Sequence, residues 1–207
     1  MLILAIILLT CGVSIGAWSR RDIFYKLALS YRETVEGKQL YRLLSHMLVH
    51  GGWMHLFINM YVFYSFGSAL VYQFSYFYEI GMLSFPRVQF LFLYFGGGIT
   101  AGLFSLLFRK DRRIVSVGAS GGVAALVFAS IFFAPWRKLY LFGLVGLPGI
   151  VLGGAYLLYS WYMARRAMDN IDHNAHFYGA LYGFVYPVVA IEPKLFFEFL
   201  ERLTSFS

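Results

Sequence analysis

Six apolar blocks alternate along this chain with short polar and basic segments, and each block is close to the length that crosses a bilayer. A spanning helix needs about 20 such residues at a rise of about 1.5 Å each. The blocks cover 2–18, 47–72, 88–108, 117–136, 140–163 and 175–191. Lipid offers no partner to open backbone, so all six are expected to be helices, giving an all-α polytopic membrane protein in one six-helix domain over 1–207. Arg109-Lys110-Asp111-Arg112-Arg113 separates the third block from the fourth, and Arg137-Lys138 the fourth from the fifth. Arg165-Arg166, with Asp169 and Asp172, precedes the sixth. The segment 19–46 mixes charges with Phe24, Tyr25, Leu27, Leu29, Leu40, Tyr41 and Leu43, a pattern suited to lying at the membrane interface.

Composition agrees with the pattern. The 207 residues are 60% hydrophobic and 13% charged, and they include 22 Phe and 16 Tyr. Soluble domains carry about 25% charged residues, and one of this size could not bury so many rings. The net charge of +7 comes from residues scattered over short loops, which fits contact with anionic headgroups and not nucleic-acid binding. Cys11 is the sole cysteine, so no intrachain disulfide can form. The first block lacks a basic leader and is read as a retained span, not a removed signal.

With an even number of spans, segment 19–46 and the starts of the fourth and sixth blocks share one membrane face. That face carries 12 of the 17 Lys and Arg residues (Arg20, Arg21, Lys26, Arg32, Lys38, Arg42, Arg109, Lys110, Arg112, Arg113, Arg165 and Arg166). The positive-inside rule would make it cytoplasmic.

The same face gathers the candidate chemistry. Gly118-Ala119-Ser120-Gly121 sets a hydroxyl among small residues where a spanning helix should be greasy. Polar groups at that depth are costly and ask for a function. All five histidines fall in two clusters on that face, His46, His50 and His55 at the second block and His173 and His176 at the sixth. His55 and Asn59 are four apart and project from one side of a helix. Gly179 and Gly183 follow His176 at three and seven residues, giving the sixth block a smooth stripe that lets a neighbouring backbone approach. Gly121, Gly122, Ala124 and Ala125 offer the complementary surface. Close contact there would bring Ser120 within reach of the His176 ring, the geometry that a serine nucleophile requires.

Taken in order, Tyr41-Arg42, His50-Gly51-Gly52-Trp53-Met54-His55, Asn59, Gly118-Ala119-Ser120-Gly121 and Ala175-His176 with Gly179 and Gly183 resemble the rhomboid intramembrane serine proteases. The resemblance implies a six-span bundle in which Ser120 is the nucleophile and His176 the general base. It implies that His55 and Asn59, with N–H groups of Ser120 and Ala119, stabilise the oxyanion. Gly118, Gly121, Gly179, Gly183 and Arg42 would be structural residues near the site. It implies transmembrane protein substrates within the lipid bilayer, no cofactor or metal, and residence in the inner membrane if the chain is bacterial. It also implies lateral access at the fifth span and, in bacterial relatives, an outward catalytic face, opposite to the basic-residue count.

The chain departs from that family at two visible places. Tyr41 replaces a tryptophan, and Ala124 stands where many relatives carry an aromatic ring over the catalytic imidazole, so either another ring orients His176 or its orientation is looser. Asp172, four residues before His176, invites a triad reading. The family works as a dyad, which leaves Asp172 as a loop residue or helix cap. His46 and His50 read as hydrogen-bonded structural histidines, and His173 as a loop residue beside the site. Two other functions stay in view: a histidine-ligated metal or haem protein, for which His46 and His50 have ligand spacing, and a non-catalytic binder of transmembrane helices.

Overall fold

The computed structural model describes residues 1–108, 115–141, 144–166 and 171–205. The segment Arg109 to Arg113 and Asp169 lie outside the described residues. Helix α1 (Leu2–Ser19) is followed by a surface segment with two short helices, α2 (Arg21–Leu27) and α3 (Arg42–Ser45). Then come α4 (Trp53–Glu79), α5 (Pro86–Phe108) and α6 (Ser120–Phe133). A two-stranded antiparallel hairpin, β1 (Lys138–Leu141) and β2 (Val145–Pro148), leads into α7 (Gly149–Arg166). The chain closes with α8 (His173–Tyr186), a π-helical turn at Pro187–Ile191, and α9 (Leu195–Thr204). Among the described residues α1, α4 and α5 are each long and apolar enough to cross a membrane. The protein is a helical, multi-pass membrane bundle.

Several expected boundaries move, each for a local reason. The second block was expected to be helical from residue 47, yet α4 begins at Trp53, after Gly51-Gly52. Each glycine costs about 1 kcal/mol in a helix, and two in succession stop propagation. His46 therefore lies in a short 3-10 turn and His50 in the coil beyond it. The fifth block, expected as helix from residue 140, starts as the hairpin instead. Gly146 and Pro148 break the apolar run before α7 starts at Gly149. Proline removes a backbone donor and clashes with a preceding helical turn, and Pro187 likewise turns the end of α8 into a π-turn. Residues after 191 carried no expected element; they form α9, whose Leu195 and Phe199 are buried. The Phe199 ring stacks on Phe132 with 4.9 Å between centroids.

Helix α6 is the centre of the bundle, with ten buried residues among its fourteen. It packs against α4, α5, α7 and α8. Small residues make the innermost contacts. A Cβ placed on Gly121 would overlap that of Ala101, one on Gly97 that of Ala125, and ones on Gly179 and Gly183 the carbonyls of Gly121 and Ala125. Three backbones thus close on one another along Gly97/Ala101, Gly121/Ala125 and Gly179/Gly183. With little hydrophobic drive between helices in lipid, such van der Waals contact is what holds them together.

The surface segment is pinned to this core. Arg42, only 5% exposed, donates from Nη1 to the carbonyls of Tyr25 and Ala28, both at 2.6 Å, and from Nε to Gln39 at 2.8 Å. A buried arginine is tolerable when its donors find acceptors in this way. Leu29 and Ser116 exchange two backbone hydrogen bonds, 2.8 and 2.9 Å, tying that segment to the stretch just before α6.

Candidate active site

Ser120 is the first residue of α6, and Ala119 is its N-cap. The turn into the helix depends on Gly118, whose φ of +115° disfavours any side chain. A Cβ there would also stand 2.6 Å from the His55 ring, so both conformation and space require glycine. His176 lies in the first turn of α8 and faces Ser120 across the Gly121/Gly179 contact. Its Nε2 is 2.9 Å from Ser120 Oγ. Residues 56 apart in sequence thereby form the bond expected between a hydroxyl and its base.

Both side chains open onto a cavity of about 410 Å³ shared with His55 and Asn59. The rest of the wall is apolar, with Val123, Val127 and Phe128 from α6 and Leu152 and Gly153 from α7. The Gly51 N–H donates to His55 Nδ1 at 3.4 Å, which leaves Nε2 to carry the ring proton as a donor beside Gly118. Asn59 is buried and donates one amide hydrogen to the His55 carbonyl at 2.8 Å, keeping its second for another partner. Ala119, expected to lend its N–H to an oxyanion, has that N–H turned to His50 Nε2 at 3.3 Å. The N–H of Ser120 itself, first residue of α6, has no acceptor within the helix.

His50 belongs to a buried chain of bonds. Because Nε2 accepts from Ala119, Nδ1 carries the proton and donates to Ser14 Oγ at 3.0 Å; that hydroxyl donates to the Leu48 carbonyl at 2.9 Å. The neutral ring connects α1 to the turn before Ser120. Burial pushes the His50 pKa down to about 3, with the neighbouring His55 and His46 adding to it. Burial likewise lowers His46 to about 4, partly opposed by the charge of Asp172. His46 also accepts the Gly118 N–H on its carbonyl at 2.9 Å. His173, expected as a loop residue, is instead the buried first residue of α8, its ring edge-on to Tyr159 and His176 at 5.5 and 6.2 Å.

Residues from three other elements complete the arrangement. Tyr156 of α7 stacks on His176, with 6.2 Å between centroids and 25° between planes, taking the part left empty by Ala124. Asp172 is the N-cap of α8. Its Oδ1 accepts the Ala175 N–H at 3.2 Å, and its Oδ2 accepts from Ser105 and Ser116. The i, i−4 spacing from His176 was the available signal for Asp172; nothing in the sequence pointed to the serines. No three His, Cys, Asp or Glu side chains converge as a metal site among the described residues.

A hydroxyl and an imidazole thus lie in hydrogen-bond contact on a mainly apolar cavity between the tightly packed helices of a polytopic membrane protein. The Rhomboid domain matches residues 37–193, and the chain belongs to the rhomboid family. Among its relatives, RHOMBOID-like protein 5 of Arabidopsis thaliana is 31% identical over 161 residues, 77% of this chain and 47% of that protein. RHOMBOID-like protein 4 of the same plant is 31% identical over 159 residues, 76% of this chain and 36% of that protein. Presenilin-associated rhomboid-like protein A, mitochondrial, of Danio rerio is 32% identical over 148 residues, 66% of this chain and 34% of that protein. The chain spans about a third to about half the length of these curated relatives.

Proposed function

We propose that this protein is an intramembrane serine endopeptidase that cleaves transmembrane proteins within or beside their spanning segments. The observation that carries the reading is the 2.9 Å contact of Ser120 Oγ with His176 Nε2 at the mouth of an apolar cavity. His176 Nε2 takes the hydroxyl proton as Oγ attacks the scissile carbonyl, and a tetrahedral oxyanion forms. Supporting donors for that charge are the Ser120 N–H, the His55 Nε2–H and the second amide hydrogen of Asn59. Preorganised donors of this kind each contribute about 10²–10³ in turnover. The imidazolium then gives its proton to the departing amine. Water adds to the acyl-enzyme by the same route in reverse and frees the second product.

The site's depth follows from helix length. Fourteen residues in α6 rise about 21 Å, short of the roughly 30 Å hydrocarbon core, so a helix anchored at its far end by Trp136 and Arg137 begins below the near surface. Water reaches Ser120 from the end of the cavity where His55, Asn59 and His176 stand. Substrate enters beside α7, which buries only Gly149, Gly153 and Ser160 and turns Val151, Leu158, Trp161 and Tyr162 outward. An apolar substrate side chain fits against Val123, Val127 and Leu152. A polypeptide must locally unwind to expose its carbonyl, so helix-destabilising residues near the cleavage point favour turnover.

The test is cleavage of a labelled transmembrane substrate by detergent-solubilised protein, with a serine-reactive fluorophosphonate as an independent probe. Wild type is expected to cleave and to be labelled, and Ser120→Ala and His176→Ala to do neither. Equal cleavage by wild type and Ser120→Ala would overturn the reading, as would the absence of labelling in folded wild type.

A further inference from the structure

We propose that Asp172 is a positioning residue for the Ser120–His176 pair, fixing the register of α8 against the strand that leads into Ser120. The inference rests on the protease reading above and names the group that sets the spacing of its two reacting side chains. The glycine contacts between α6 and α8 fix how close the two helices come, but smooth surfaces do little to stop one helix sliding along the other. Sliding by a fraction of a turn would carry His176 Nε2 out of reach of Ser120 Oγ. The N-terminal ends of both helices meet on one carboxylate. Asp172 Oδ1 accepts the Ala175 N–H, adjacent to His176, at 3.2 Å. Its Oδ2 accepts the Ser116 hydroxyl, four residues before Ser120, at 2.5 Å, and the hydroxyl of Ser105 on α5.

The rest of the molecule makes that clamp rigid. Ser105 is buried on α5, the helix that backs both α6 and α8. Ser116 is held by its two backbone bonds to Leu29, and Leu29 sits beside the Ala28 carbonyl bound by Arg42. Hydrogen bonds to an ionised acceptor are roughly twice as strong as neutral ones, so a carboxylate is the right group to gather these donors. Asp172 acts through the backbone that it holds.

Three variants separate this role from a general effect on folding. Asp172→Asn retains the helix cap, because asparagine caps as well as aspartate, but loses the charged acceptor for the two hydroxyls. Ser116→Ala removes the link to the Ser120 strand and leaves the cap untouched. The third is the double variant. Misplacing reacting groups by about 1 Å costs up to about 10²-fold, so each single variant is expected to lose about 10- to 100-fold in kcat with KM unchanged. The double variant is expected to be no worse than Asp172→Asn alone, since both changes cut the same link.

These measurements are made on the full chain in detergent beside wild type and Ser120→Ala. If wild type cleaves and Ser120→Ala does not, the protease reading stands on its own. Wild-type kcat in folded Asp172→Asn and Ser116→Ala, or additive losses in the double variant, would then overturn the positioning role alone. If Asp172→Asn fails to fold, Ser116→Ala decides the matter, and full kcat in that variant overturns the proposal. Cleavage by Ser120→Ala equal to wild type overturns the protease reading and this inference with it.

Discussion

The Tyr156 ring lies nearly parallel to the His176 imidazole, 25° apart in plane and 6.2 Å between centroids. The imidazole proposed as the base is thereby held by a side chain from α7, a helix that lines the cavity. Aromatic pairs contribute about 0.5–1.5 kcal/mol beyond the area they bury, equivalent to about 2- to 10-fold in rate if felt only in the oriented state. Tyr156→Leu is therefore expected to lower kcat by about that factor, and Tyr156→Phe to keep it near wild type. Equal kcat for the Leu and wild-type enzymes would remove this role from the ring.

A second prediction follows from the contact between α6 and α8. A Cβ on Gly183 would overlap the backbone of Ala125, and backbone cannot step aside as a flexible side chain can. Gly183→Ala should push the helices apart, destabilise by about 1–3 kcal/mol and lengthen the Ser120–His176 contact. The expected result is a lower Tm together with loss of fluorophosphonate labelling. Gly154→Ala, where a Cβ meets nothing within 4 Å, is the control expected to leave both unchanged.

Those glycines also show why part of the site was legible in the sequence. Gly179 and Gly183 after His176, and Gly121 after Ser120, carry their packing role in their spacing, because a helix face is periodic. The contact between Ser120 and His176 follows from two such faces meeting. What periodicity cannot give is the direction of a backbone group. The Ala119 N–H points to His50, and only the turn at Gly118 decides that. Hydrophobic counts also treat any apolar run alike, so 47–52 and 140–148 fall within expected spans although Gly51-Gly52, Gly146 and Pro148 break them. Tyr156 and Ser116 were invisible because their partners lie on other elements, at no fixed sequence spacing.

Gly118 itself gives a third prediction. Its φ of +115° and the His55 ring 2.6 Å from a would-be Cβ leave alanine no relaxed position. Strain of this kind is on the order of 1–3 kcal/mol, and it falls directly on the donors that face the substrate carbonyl. Gly118→Ala should reduce kcat by at least about 10-fold while the Ser120–His176 contact survives. A protein that retains full turnover would show that the turn relaxes at no cost.

Acid stability is set on the other side of the same turn, by two histidines that precede α4 and lie outside the spanning helices. Burial holds His46 down to about 4 and His50 to about 3, whereas an unfolded histidine titrates near 6.5. Between pH 6.5 and about 4 the unfolded chain binds protons that the folded chain refuses, so stability must fall as pH falls through that window. Their contribution is present in full above about pH 6.5. Below about pH 4, His46 gains its proton in the folded state as well and adds no further slope. For His50 there is a structural consequence, because a protonated Nε2 would face the Ala119 N–H with no lone pair to receive it. Tm measured in detergent from pH 7.5 to 4 should be level above 6.5 and decline below it. Carboxylates also titrate near the lower end, so the decisive quantity is a difference: His46→Leu should show a shallower decline than wild type, by about one proton. An identical slope in the two proteins would mean that His46 is protonated in the fold, against the burial that surrounds it.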